Sequence, residues 1–268
     1  MESQQSLGRY FVSRISLASN EQHNEERMNI PNPNLSSLFA SRPSSADVDY
    51  TLTARYAPIL KFDAREPFLP LAVGFSIFRK NTLSPSFPRQ IKVSEVERPE
   101  PMLAIEYTIW WDWDIVHLYE LEHIWVFIDK KGQVVRGEAS GHGEYHNMVA
   151  NGSLPLTDER LTLFSEPGKH AFAPMVGWLQ DKAEKTRHLC RQRAGTGGLL
   201  VTPLFKELTS LKTSEVDRLV NVFLQRHAFE PSYEFNRAFP VSAEILVPWP
   251  ALYRWIPERL AWLIDSLK

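Results

Sequence analysis

The sequence predicts an α+β protein, an antiparallel β-sandwich core with flanking helices and a helical C-terminal third. Three observations lead there. Apolar and aromatic runs of strand length fill residues 56–128, and Lys130-Lys131-Gly132-Gln133 forms a turn before Val134 returns as a hairpin partner. Apolar residues at helical spacing belong to the last third of the chain. The composition, 19 Pro against 12 Gly with 12% aromatics, describes a loop-rich chain with β content. Strands followed by helices are the order expected of helices packed on one side of an antiparallel sheet assembly.

Residues 1–48 are rich in Ser, Asn, Gln and Glu, include Pro31-Asn32-Pro33-Asn34, and read as a polar extension that buries little. Residues 49–268 read as a single domain whose core starts near Tyr50. Tyr56-Ala57-Pro58-Ile59-Leu60-Lys61-Phe62 reads as a short strand with an edge proline. Val73 to Phe78, Ile91 to Val96, Leu103 to Trp111 and Leu121 to Ile128 are further strands by their apolar and β-branched content. Met175 to Arg193 reads as a helix with a basic second half. Ser214-Glu215-Val216-Asp217 has the spacing of a capping box, and leads into the stripe Val216, Leu219, Val220, Phe223 and Leu224. Pro257 suits the first turn of a terminal helix carrying Leu260 and Leu263.

Several function classes are disfavoured at once. Thirty Lys plus Arg against 32 Asp plus Glu give a charge of -2, which offers no general basic field for nucleic acid. One cysteine, Cys190, excludes an internal disulfide framework and a multi-cysteine zinc site. The start Met1-Glu2-Ser3-Gln4-Gln5, with only Tyr10-Phe11-Val12 as an apolar patch, lacks the roughly 7–15-residue apolar run of a secretory signal. No stretch reaches the roughly 18 apolar residues of a spanning helix. With the lone thiol, these features lead to the expectation of a cytoplasmic protein with no integral membrane association.

Residues 101–129 do not read as ordinary core. They hold Glu106, Asp112, Asp114, Glu120, Glu122 and Asp129, seven interleaved aromatics, His117 and His123, and neither Lys nor Arg. Carboxylates brought near aromatic rings suffer desolvation and mutual repulsion. A bound divalent ion is the simplest remedy that the segment itself suggests, and carboxylate and imidazole ligands suit Mg, Mn, Zn or Fe(II). Strand alternation puts Glu106, Thr108, Trp110 and Asp112 on one face, and Glu120 with Glu122 on a shared face of the next strand. His117 and His123 fall on the opposite parity, so a bulge or loop near Asp114 to Leu118 is needed to bring His117 round. Ser140-Gly141-His142-Gly143-Glu144-Tyr145-His146 and Pro167-Gly168-Lys169-His170 present further histidines. Five of the eight histidines thus lie between residues 117 and 170.

Four short blocks carry a resemblance. Tyr56-Ala57-Pro58-Ile59-Leu60-Lys61-Phe62, with Glu66 and Pro70, resembles the opening of the vacuolar-protein-sorting-62-related family. His117-Leu118-Tyr119-Glu120-Leu121-Glu122 is similar to the Gly-His-Arg-His-Asp-Trp-Glu heptapeptide of the necrosis-inducing proteins, with His117, Glu120 and Glu122 matching its first histidine, aspartate and glutamate. Tyr119 and Leu121 depart from it. Ala139 to Tyr145 and Glu166 to Ala171 resemble the family's Ser-x-His-Gly-Gly-Tyr and Gly-Ser-His-Ala segments. The resemblance spans residues 50–175. It implies a β-sandwich with a divalent-metal site near His117, Glu120 and an upstream aspartate, here Asp112 or Asp114.

The expectation is therefore a metal-dependent hydrolase or lyase for a sugar-like or polyhydroxylated small molecule. Asp112 or Asp114, His117 and Glu120 hold the ion, Glu122 acts as base or orienter, and His142 and His123 serve in acid–base roles. Trp110, Trp113, Tyr119, Tyr145, His146 and His170 line the substrate. The rival is a metal-dependent module that binds a glycan or lipid headgroup without chemistry.

Overall fold

The computed structural model describes residues 35–93 and 101–268. The fold is organised on one long antiparallel hairpin, Leu103–Trp113 (β5) and His117–Ile128 (β6), with Leu103 opposite Ile128 and Trp113 opposite Leu118. All residues from Leu103 to Asp112 are buried, so both faces of this strand need cover. Ala72–Phe78 (β2) pairs with β5, while Val134–Gly141 (β7) and then Glu144–Asn147 (β8) continue beyond β6. Leu246–Pro248 (β14) joins β2 in parallel and Gly198–Leu199 (β12) joins the start of β6 in parallel, which completes a seven-stranded sheet.

The second sheet runs Phe172–Ala173 (β11), Arg160–Ser165 (β10), Ile59–Phe62 (β1), Arg237–Pro240 (β13), with Leu156–Thr157 (β9) on β10. It is antiparallel except for the β1–β10 pair. The sheets face each other through Leu60, Phe62, Leu161 and Leu163 on one side and Tyr107, Ile109, Trp111, Ile124 and Val126 on the other, all in one buried cluster. Gly137 shows how closely they approach: a Cβ there would stand 2.6 Å from Leu161 Cδ1, so any side chain would push the sheets apart.

The outer face of the large sheet has two covers. The hairpin of Thr82–Leu83 (β3) and Gln90–Ile91 (β4) lies at one end, beside a small cluster of Phe78, Ile91, Val93, Ala104, Trp125 and Phe127. The terminal helix Trp249–Ser266 lies at the other, with Trp249 and Leu252 against Gly74. The α+β class with a sandwich core and flanking helices is what the sequence predicts.

Several local expectations are corrected. Within the span that reads as a polar extension, the helix Leu35–Phe39 buries Leu38. Tyr56 ends a helix, Val48–Tyr56, capped by the Asp47 side chain on the Tyr50 N–H, and the strand begins only at Ile59. Met175 to Arg193 is broken into Val176–Gln180 and Ala183–Cys190. The cap of helix Ser214–Arg226 is Thr213, whose side chain accepts from Val216 N, rather than Ser214. Val216, Val220 and Leu224 are the buried line of its stripe. Pro257 sits inside the terminal helix and Pro250 occupies its first turn. Proline is tolerated there because the carbonyl four residues back belongs to Tyr253, on the side exposed to solvent. The Tyr10-Phe11-Val12 patch, Pro31 to Asn34, and the strand expectation beyond Val93 lie outside the described residues. Among the described residues no helix is long and apolar enough to cross a membrane.

Candidate functional site

β6 begins with an irregularity that creates the site. Tyr119 adopts φ +57°, a left-handed conformation uncommon for a bulky side chain, and this breaks the alternation of a regular strand. His117 and Glu120, three residues apart, therefore meet, with Nε2 3.7 Å from Oε2. Asp114, from the β5–β6 turn, brings Oδ1 to 3.6 Å from the same nitrogen. The break that the sequence demands upstream of Leu118 is made at Tyr119. One ligand atom from each of Asp114, His117 and Glu120 lies within 4.8 Å of the others.

The imidazole is correctly presented. His117 Nδ1 lies 2.9 Å from the Tyr119 carbonyl, which can only accept, so Nδ1 is the donor there and, in the neutral ring, Nε2 has its lone pair on the side of the carboxylates, where a cation would lie. Ligand atoms at about 2.1 Å from a tetrahedral ion stand roughly 3.4 Å apart, close to the two separations found here. The donor set thus fits a small divalent cation.

Its electrostatics are divided. Burial by itself would raise Asp114, but His117, Lys169 and His170 hold its carboxyl below the usual range. Lys169 Nζ donates to Asp114 Oδ2 at 2.6 Å and lies 3.5 Å from His117 Nε2. Burial also acts on Glu120, and here it wins over the attraction of His117, with Glu122 and Asp114 adding repulsion, so this carboxyl is raised. Glu122 is raised by burial too, although it accepts from Ser140 Oγ and from His142 N at 3.3 Å. His142, itself at φ +57°, donates from Nε2 to Glu166 Oε2 at 2.9 Å, and that bond raises its pKa. Thr186 Oγ1 donates to the other oxygen of Glu166 at 2.7 Å.

The loop between β10 and β11 closes the cluster. Gly168, at φ +67°, donates its N–H to Glu66 Oε2 at 2.7 Å and accepts from Ile115 N at 2.8 Å. His170, at φ +63° and fully buried, stacks on Trp111 at 4.5 Å between ring centres. Tyr119, His142 and His170 are half of the six described non-glycine residues with positive φ, and such strain gathers where function requires a set geometry.

The other expected residues are placed elsewhere. Asp112 accepts from Trp110 Nε1 at 3.0 Å and from Arg259 at 2.6 and 3.1 Å, so it anchors the terminal helix and does not join Asp114. His123 faces the opposite side of the sheet, stacked on Trp125, with its pKa pushed down to about 3 by burial. It is a neutral sheet histidine whose ring contacts Ser86, Phe87 and Trp125. Trp110 is fully buried against Tyr119, and Trp113 stacks on Phe223 at 4.1 Å, so these rings pack the body. Tyr145 lies on the outer face, 3.6 Å under the Arg89 guanidinium. His170 forms the floor beneath Trp111. His146 is at the exposed rim, 6.3 Å from the ring of Trp178, which is 42% exposed.

The premise that no cation relieves the acidic segment holds only within that segment. Lys169 and Arg259 arrive from 55 and 147 residues away. Lys169, Glu166 and Thr186 are the site residues that strand parity could not find. The turn at Pro167 to His170 was visible, but its contact with Asp114 was not.

The sequence matches no protein-family model, and no curated protein matches it. Among solved structures it is similar to NLPPya in complex with glucosamine, at 16% identity over 50% of this chain and 69% of that one, with TM-score 0.32. It is also similar to Necrosis and Ethylene inducing Protein 2 from the causal agent of cocoa's Witches Broom disease, at 17% identity over 48% and 68%, with TM-score 0.31. Both are necrosis-inducing proteins, the family that the sequence blocks resemble. At that TM-score the overlap carries nothing about ligand or activity, which rest on this chain's own residues.

Proposed function

We propose that this chain is a divalent-metal-dependent hydrolase or lyase for a sugar-like or polyhydroxylated small molecule. The observation that carries the reading is the meeting of Asp114, His117 and Glu120 around one imidazole lone pair, with the tautomer set by the Tyr119 carbonyl. These three would hold the ion, of the Mg, Mn, Zn or Fe(II) class. A bound divalent ion supplies Lewis acidity and a lowered pKa for a coordinated hydroxyl group. The rest is work for the protein's own groups. Glu122, raised by burial, accepts a proton from the ligand. His142, held at Nε2 by Glu166, whose other oxygen is fixed by Thr186, has Nδ1 left to deliver or take one. The single cysteine, buried and without a disulfide, supports placing this activity in the cytoplasm.

A second reading, a glycan or lipid-headgroup binder without turnover, is favoured by the rim, where exposed Trp178 stands beside exposed His146. Metal content by mass spectrometry on tag-free protein, beside His117→Ala and Glu120→Ala, tests the centre. A near-stoichiometric ion lost in both variants is expected, and a parent without metal after incubation with all four ions would sink the reading. Glu122→Gln separates enzyme from binder: turnover falls with ligand affinity kept if the chain is an enzyme.

A further inference from the structure

Lys169 stands where the cation of the proposed centre would act. Its side chain is only 9% exposed, and its Nζ is 2.6 Å from Asp114 Oδ2 and 3.5 Å from His117 Nε2. Two of the three candidate ligands therefore already face a positive charge. The backbone around it is held on both sides. Gly168 is tied to Glu66 and Ile115, and His170 is buried against Trp111, both in left-handed conformations. A surface lysine could swing into solvent; this one is delivered to the cluster by its loop.

We infer that Lys169 is a built-in cation that competes with the divalent ion for the Asp114–His117–Glu120 cluster. The inference rests on the metal reading above. In the metal-free protein the ammonium satisfies Asp114 and faces the lone pair of His117. An incoming ion meets a like charge at contact distance, in a buried setting that salt screens poorly. Glu120, whose only hydrogen-bond donor among the described residues is the Leu121 N–H at 2.9 Å, and Glu122 are the carboxylates that take up the added charge. The consequence is an exchangeable ion rather than a resident one, its affinity held down by a residue that is not a ligand.

The test is calorimetric titration of the full chain with Mn2+, in the parent, Lys169→Met and Lys169→Arg, with melting temperature followed with and without the ion. Lys169→Met should bind Mn2+ at least roughly tenfold more tightly and gain more thermal stability from it than the parent, because one adjacent positive charge is gone. Lys169→Arg, which keeps the charge, should bind no more tightly than the parent. Lys169→Gln retains a donor for Asp114 and replaces Lys169→Met if that variant does not fold. Equal affinity in the parent and the neutral variants, with loss in His117→Ala, would overturn the competition and leave the metal centre standing. No Mn2+ uptake by any form would overturn this inference, and the metal reading falls with it when Mg, Zn and Fe(II) are not taken up either.

Discussion

On the outer face of β5, Glu106 is fully buried and accepts from Ser84 Oγ at 2.5 Å, Ser86 Oγ at 2.6 Å and Trp125 Nε1 at 2.7 Å. Farther along the same face Asp112 receives two bonds from Arg259 and one from Trp110. On the inner side, at the start of β6, Glu120 accepts one neighbouring backbone N–H, and its other oxygen faces His117 at 3.7 Å. Both regions are acidic and aromatic, and their strands are hydrogen-bonded to each other. They differ in how far their lone pairs are satisfied. Where donors are built in, a buried carboxylate is a piece of architecture. Where they are missing and the backbone is strained, the carboxylate keeps lone pairs open, which is the condition the proposed metal centre requires. Counting acids cannot tell these cases apart; counting donors can.

This contrast can be broken by mutation. Asp112→Ala takes the carboxylate from buried Arg259 and should cost about 3–5 kcal/mol in chemical denaturation, with Mn2+ affinity unchanged. A loss below 1 kcal/mol would erase the architectural reading of the outer face. His123 sharpens the same side through pH. Its pKa is about 6.5 in the unfolded chain and about 3 in the fold, so the unfolded state takes the proton first on acidification. Its contribution is intact above the unfolded value and is lost progressively as pH falls from about 6.5 to about 3, amounting to about 2 kcal/mol between pH 8 and pH 5. Denaturation curves of His123→Gln at the two pH values should show a loss smaller by that amount.

On the inner side the sign should reverse. Burial makes charged Glu120 unfavourable, so Glu120→Gln should leave the protein unchanged or stabilise it by about 0.5–1 kcal/mol while metal binding is lost. A destabilisation comparable to that of Asp112→Ala would place Glu120 with the architectural acids. The smallest effect belongs to Trp178→Ala: stability should stay within about 0.5 kcal/mol, and retention on an immobilised glycan array should weaken if the rim is a stacking surface.

How much of this was legible beforehand differs by level. The strands around residues 72–78, 103–113 and 121–128 follow from apolar runs whose content no helix would need, and Lys130 to Gln133 announces its turn. Even the requirement for a break near His117 could be argued, since parity forbids a regular strand from joining it to Glu120. The helix Val48–Tyr56 was not legible, because Ala57-Pro58 invites a strand reading and the decisive Asp47 cap is a single side chain. The tryptophans misled for a related reason. A tryptophan has the same letter in the sequence whether its ring meets Phe223, as that of Trp113 does, or partly open solvent, as that of Trp178 does on its short helix.

By itself the sequence determined the class of fold, the strands on either side of the break near His117, and the concentration of carboxylates and histidines over residues 101–170. Those are local properties, written in periodicity and composition. Only the tertiary structure decided that Asp114 rather than Asp112 joins His117, that His123 turns away, and that Lys169 enters the cluster. The reason is that the selecting contacts are long-range. Arg259 claims Asp112 from a helix 147 residues later, and the β10–β11 loop delivers Lys169 across the gap between two sheets. Whether a buried charge is anchored or left available depends on which distant donor reaches it first, and no window along the chain contains that information.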